Sequence, residues 1–271
     1  MYDKIFKPKK IILSNGKVVE EKASRRLFYD ILLLIIIIFA GRITDFDINV
    51  LRERGYQFFV IIGEMFPPNL SYLNKVWDPL FDTIKMSLIG SILGAVLAIP
   101  FAIFASSNIN KSKFGLSFFR FIISLIRTFP TIVVALIATY IFGLGTMAGT
   151  IAIFVFTFSY IGKQLYETIE TVDMGAFEAA TSMGSTRIRA FFVAIFPQIL
   201  PSYLSVSLYC FEGNVRYAAI LGYVGAGGLG LIINDNLGLR KYSNVGMIII
   251  VLFFAVIIIE SLSHYIRSRL T

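Results

Sequence analysis

The sequence predicts an all-α, polytopic membrane protein with about six spanning helices, and three observations carry that prediction. Hydrophobic residues make up 56% of the 271-residue chain and charged residues only 15%, where about a quarter of a soluble domain is charged. Long apolar runs fill most of the length, giving a mean hydropathy of +0.77. The basic residues then divide unevenly among the loops that those runs define.

A hydrocarbon core about 30 Å thick needs roughly 20 apolar helical residues. Six stretches qualify, at about 27–41, 82–105, 119–142, 147–162, 201–221 and 244–266. The first, "LFYDILLLIIIIFAG", is short, but Arg25, Arg26 and Arg42 can anchor its two ends by snorkelling. It does not read as a cleaved leader, because "FAGRITDFD" lacks a small-x-small site in an uncharged setting. With the N-terminus inside, the inner segments carry sixteen Lys and Arg against six outside. That excess places both termini in the cytoplasm, as an even number of spans requires. The net charge of +8 therefore reports topology, and no nucleic-acid partner is expected. One cysteine, Cys210, excludes an internal disulfide and reads as a small packing residue. One histidine, His264, reads as interfacial and excludes a His-based metal cluster, so no metal site is expected.

Three pieces lie outside these spans. Residues 1–26 form a cytoplasmic segment ahead of a transmembrane domain over 27–271; "IILSNGKVV" fits either a small hairpin around Asn15-Gly16 or a basic tail. In the external loop 42–81, "YQFFVIIGEMFPP" is too short to span and suits an interfacial helix ended by Pro67 and Pro68. The third piece, about 163–200, is too long and too structured for a simple connector. Two short helices fit it, 175–183 and 186–195, separated by Gly184, whose missing Cβ permits a sharp reversal. Glu178 suits the first helix's N-terminus, Ala179 and Ala180 offer a low surface for close approach, and Pro197 and Pro201 mark the return to the bilayer.

Within the spans, Gly90 and Gly94 have the spacing of a close helix contact. Arg127, Glu212 and Arg216 are charges at membrane depth, about 10–12, 16 and 22 Å in at 1.5 Å per residue. Such groups face a bundle interior or an aqueous cavity. Glu212 and Arg216, at i and i+4, can pair, and Glu212 is placed to bridge both arginines. The trio reads either as an ion network fixing helix packing or as a contact for a passing anion, with Arg216 nearer the outside. "LGYVGAGGLG" holds Gly225, Gly227 and Gly230 in a dinucleotide-binding spacing. No strand precedes it and no acidic residue follows about twenty positions on, so that reading fails. Gly225, Gly227, Gly228 and Gly230 read instead as part of an external gate or pathway lining, by way of tight turns or an amide nest for an oxyanion.

The run "EAATSMGSTRIRAFFVAIFP" resembles the E-A-A-x3-G-x9-I-x-L-P loop of binding-protein-dependent ABC importer permeases. Glu178, Ala179, Ala180, Gly184 and Pro197 match at their spacing; Ala194 and Phe196 replace the isoleucine and leucine and stay apolar. The resemblance implies the type I permease fold, with this loop seated on a separate ATP-binding subunit that moves it. No G-x-x-x-x-G-K-[ST] sequence occurs, so the chain is not expected to be an enzyme or to hold a cofactor; ATP and Mg fall to a pair of partner ATPases. It further implies an extracytoplasmic substrate-binding protein, a second permease copy in a homodimer, surrounding membrane lipid and a place in the bacterial plasma membrane.

"RTFPTIVVALIATYIFGLGTMAGTIAI", "GKQLYETIE" and "FEGNVRYAAILGYVGAGGLG" are similar to the phosphonate importer permease over roughly residues 80–266. Many of those carry an acidic residue after the proline of "R-x-x-P", where this chain has Thr131, which keeps phosphite and phosphate-like anions open. "GAGGLG" also occurs in permeases for methionine and betaine-type substrates, the alternative within this class. An ion-coupled secondary transporter needs coupling-ion sites that Glu212, flanked by arginines, supplies poorly. A membrane-embedded enzyme needs a polar catalytic cluster that one histidine at a helix end does not provide.

Overall fold

The computed structural model describes residues 9–12, 16–21, 26–44 and 46–270. Two compact units divide the chain, Met1–Val60 and Ile61–Thr271, and each is described by itself.

The first unit opens with the hairpin alternative. Strands β1 (Lys9–Ile12) and β2 (Val18–Glu21) pair antiparallel, Lys9 opposite Glu21 and Ile12 opposite Val18. Gly16 lies between them at φ +76, a conformation that favours glycine. Helix α1 (Arg26–Ile43) covers the first expected span. Helix α2 (Ile48–Glu64) realises the expected loop helix and stops before Pro67 and Pro68, though it begins well ahead of Tyr56.

The second unit is a helical bundle centred on α3 (Trp77–Ala105), about 44 Å long at 1.5 Å per residue. It packs along α6 (Thr146–Thr171). Gly90 and Gly94 make this contact possible: a Cβ on Gly90 would lie 2.8 Å from the Thr150 carbonyl oxygen, and one on Gly94 2.8 Å from that of Phe154. The small-residue spacing thus lets two backbones approach as expected. Gly94→Leu is expected to prevent this packing, seen as loss of a monodisperse peak for the detergent-solubilised protein.

The expected third span, 119–142, is not one helix. It splits into α4 (Lys113–Thr128) and α5 (Thr131–Phe142), bent by 86°. Pro130 has no N–H to continue α4, and its ring holds Phe129 extended at φ −78, ψ 123. The hydropathy window averaged across this break.

Helix α6 also runs past its expected end at 162 to Thr171, so the first part of the expected loop 163–200 continues the helix. After α7 (Gly175–Ser182), α8 (Arg187–Ala190) leads through one π-helical turn, Phe191–Ile195, into α9 (Phe196–Leu221). The expected second loop helix is therefore the foot of the next span, and Pro201 lies inside that span rather than at its start. Pro197 cannot donate to the Val193 carbonyl, and the wider turn there bonds Phe196 N–H to Phe191 O. Helices α10 (Gly228–Gly238) and α11 (Tyr242–Arg267) complete the bundle. Among the described residues, four helices are long and apolar enough to cross a membrane, and the bent α4–α5 pair makes up to five. Helix α1 has only 18 residues and includes Arg26, Asp30 and Arg42.

Candidate coupling loop and transport pathway

The loop after α6 is built to hold one short helix outward. The Asp173 carboxylate accepts the Gly175 N–H at 2.9 Å, setting the start of α7. Phe177, 6% exposed, drives that helix onto a core with Ile109, Ile123, Leu165, Ile169 and Phe191. The other side is open: Glu178 and Ala179 are exposed, Ala180 is half-buried, and Gly184 and Pro197 are exposed.

Gly184 ends α7 at φ +90. Its N–H donates to Thr181 O at 3.0 Å, and the Ser185 N–H donates to Ala180 O at 3.1 Å. These are the two bonds of a Schellman cap, which needs a left-handed residue at this position. Thr186 then caps α8 by accepting the Arg189 N–H. The reversal leaves Met183 82% and Ile188 61% exposed at the tip. The sequence reading missed these two, although exposed apolar side chains on a charged loop are a signal for a partner surface.

Several side chains clamp the loop to the bundle. Arg187 donates to Ile109 O at 3.1 Å, and Gln198 donates to Asp173 O at 3.2 Å. Asn108 donates to Ile169 O at 3.0 Å, and Ser107 N–H to the Glu170 carboxylate at 2.7 Å. Arg120 pairs with the same carboxylate, donates to Ala105 O at 2.8 Å and stacks over the Tyr166 ring. The α3–α4 corner, the end of α6 and the foot of α9 are thereby joined to α7. Glu170→Gln is expected to loosen this clamp, read as a lower thermal stability of the detergent-solubilised protein.

The charges at membrane depth do not form the expected trio. Glu212, 4% exposed, pairs with Arg267 at 3.0 Å rather than with Arg216 or Arg127. Helix α11 packs beside α9 and presents Arg267, whose guanidinium also lies 6.0 Å from the Tyr209 ring centroid. Arg127 and Arg216 are exposed and form no ion pair among the described residues. Arg267→Leu would strand a buried carboxylate. We expect it to cost about 2–3 kcal/mol, somewhat under a fully buried pair because Arg267 keeps some exposure. Glu212→Gln in addition should restore part of that loss, read as thermal stability in detergent.

Arg127 borders a cavity of about 150 Å³ in the crook of the α4–α5 bend, with Phe129, Thr131, Ser159 and Tyr160. Pro130 supplies no side-chain acceptor at the start of α5, so a half-helix N-terminus opens beside an arginine.

The glycine run answers to packing. Gly225, Gly227 and Gly228 have φ of +78, +76 and +68, and Gly225 to Gly227 are buried. A Cβ on Gly230 would sit 2.0 Å from the Ala219 carbonyl oxygen, and one on Gly222 2.1 Å from the Gly230 carbonyl carbon. The end of α9 and the start of α10 therefore touch backbone to backbone. The Gly145 N–H donates to Gly225 O at 2.9 Å, and the Leu229 N–H to the Thr83 hydroxyl at 2.8 Å. Below, the buried Asn214 amide donates to both Ser91 and Thr157 hydroxyls at 2.8 Å, tying α9 to α3 and α6. Sequence reading passed over Asn214 because its partners lie on distant helices. Cys210 is buried against Thr157, as a packing residue.

Residues 98–270 match the family described as binding-protein-dependent transport system inner membrane component. The chain is 33% identical over 211 residues to the phosphate-import permease protein PhnE of Mycolicibacterium smegmatis, covering 78% of this chain and 40% of that one. It thus spans less than half that relative's length. It is 28% identical over 257 residues to the putative phosphite transport system permease protein HtxC of Stutzerimonas stutzeri, covering 95% and 91% of the two chains. In fold it is similar to an inward-facing MetNI methionine ABC transporter chain, with a TM-score of 0.65 at 20% identity over 75% of this chain and 99% of that one. The matched segment takes in the coupling loop, the bent α4–α5 pair and the glycine crossing, and the chain belongs to the binding-protein-dependent transport system inner membrane component family.

Proposed function

We propose that this chain is the membrane subunit of an ATP-driven importer for a phosphonate or a similar small phosphorus oxyanion. The observation that carries the reading is the coupling loop: Glu178, Ala179, Met183 and Ile188 exposed around a left-handed Gly184, with Phe177 and a hydrogen-bonded clamp holding the rear. A separate pair of ATP-binding subunits, holding ATP and Mg, docks there and supplies the energy. In this reading both termini are cytoplasmic, the membrane is the bacterial plasma membrane, a second copy completes a homodimer, and an extracytoplasmic binding protein delivers the ligand.

Relatives named for phosphate and phosphite support the substrate class. So does the site: Arg127 and Arg216 are cations at membrane depth with no ion-paired carboxylate among the described residues, and the half-helix N-terminus beside Arg127 favours an anion. Glu212 is neutralised by Arg267 and leaves both arginines to the passing ligand. Gly225, Gly227, Gly228 and Gly230 close the outer end of the pathway as a gate, packed too closely to their neighbours for an added Cβ.

The test is uptake by the assembled complex in proteoliposomes, with phosphonates, phosphite, phosphate, methionine and betaine compared. Accumulation of methionine or betaine alone would overturn the substrate class, and uptake driven by an ion gradient without ATP would overturn the importer. Arg216→Ala should lower phosphorus-anion uptake about tenfold, the worth of one charge-assisted contact, with assembly unchanged. Unaltered kinetics would remove Arg216 from the pathway.

A further inference from the structure

Helices α10 and α11 are joined by a three-residue corner, and Arg240 in it has a conformation that arginine rarely adopts. Its φ is +55, and among the described residues it is the one non-glycine at positive φ. It caps α10: the Arg240 N–H donates to Leu237 O at 3.0 Å and the Lys241 N–H to Asn236 O at 2.9 Å. Glycine is the usual residue there, because a Cβ crowds the neighbouring carbonyl. A glycine lies two positions earlier, at Gly238, where φ is not positive and no atom comes within 4 Å of a Cβ position. The backbone would therefore be eased by glycine at 240, and the arginine side chain is what that strain retains.

The side chain has a built surface to serve. Arg240, Lys241, Tyr242 and Ser243 line an open cavity of about 520 Å³ with Glu64, Asn69 and Asn244. Its floor is an amide ladder. Asn69 donates to Asn244, Asn244 to Asn236, and Asn236 to the Tyr72 hydroxyl, each at 2.8 Å. The Asn69 N–H also donates to Ser243 O at 3.1 Å. Asn236 and Asn244 are buried, so the two cations stand on a rigid base that joins the turn before α3 to α10 and α11. Neither Arg240 nor Lys241 forms an ion pair among the described residues, and Glu64 is the one carboxylate on the rim.

We propose that this corner is a docking point for acidic side chains on the extracytoplasmic binding protein. The inference rests on the importer reading, which puts the corner outside: α9 starts at the coupling loop and carries the chain across the bilayer to it. A free phosphorus anion would fill little of the cavity and would meet exposed, solvated cations that hold it weakly. Carboxylates on a protein surface bring their own water-excluding rim, and charges so placed act chiefly on encounter rate and salt dependence.

The experiment measures ATPase stimulation of the reconstituted complex by its binding protein, at low and high salt. Arg240→Gly relieves the backbone, so its thermal stability should equal or exceed that of the wild type. The binding-protein concentration for half-maximal stimulation should nevertheless rise about tenfold at low salt, with a flattened salt response. Arg240→Lys, which keeps the charge, should stay close to wild type. A responsive wild type with an unshifted Arg240→Gly would overturn the docking corner and leave the importer standing. A wild-type complex that ignores its binding protein would overturn the importer reading itself.

Discussion

Gly230→Ala is expected to remove folded protein from the membrane, although it adds only one methyl group. The added carbon would lie 2.0 Å from the Ala219 carbonyl oxygen and 2.7 Å from the Gly222 α-carbon. Backbone atoms on both sides leave nothing that a rotamer change can relieve. Opening the crossing would also part α10 from α9 and disturb the Leu229–Thr83 bond behind it. Gly213→Ala provides the internal control, since no atom lies within 4 Å of a Cβ there and alanine favours a helix by about 1 kcal/mol. The measurement is membrane yield and monodispersity of the solubilised protein. Equal behaviour of Gly230→Ala and wild type would show that the helices do not cross this closely.

Gly184→Val should instead leave the bundle folded and abolish energised uptake. No atom lies within 4 Å of a Cβ at Gly184, so space does not forbid the side chain; the φ of +90 does. A β-branched residue there costs upwards of about 1–2 kcal/mol, enough to unwind a cap made by two hydrogen bonds. The tip carrying Met183 would then lose its shape, and on the proposed importer reading the ATP-binding subunit would lose its seat. Gly184→Asn, which tolerates left-handed backbone better, should retain much of the activity. Co-purification of the ATPase and ATP-driven uptake report the two halves of the effect. Undiminished co-purification and uptake in Gly184→Val would sink the docking assignment.

Much of this architecture was legible in the chain, and where legibility failed the reasons are physical. Local signals worked: apolar length for the four long spanning helices, Gly184 for the reversal, and Gly90 and Gly94 for the α3–α6 contact. The break at Pro130 was written in "RTFPT", but an averaged hydropathy hides a single residue without an N–H. Glu212 offered an i,i+4 partner in Arg216, yet its partner is Arg267 on the last helix. Short-range pairing rules cannot rank a neighbour on the same helix against a long arginine brought in by tertiary packing. The Asn69–Asn244–Asn236 ladder and the Arg120–Glu170 clamp escaped for the same cause, since each gains meaning only when distant segments meet.

By itself the sequence determined that this is a multi-span helical protein with a long structured loop reversed at Gly184. Hydrophobic length and glycine conformation are properties of residues in order along the chain. Only the tertiary structure decided which charge neutralises Glu212, that the break at Pro130 becomes an 86° bend, and why the glycines of "LGYVGAGGLG" are there. Those outcomes turn on which surfaces are within a few ångströms of one another, and at Gly222 and Gly230 that distance leaves no space for a single carbon.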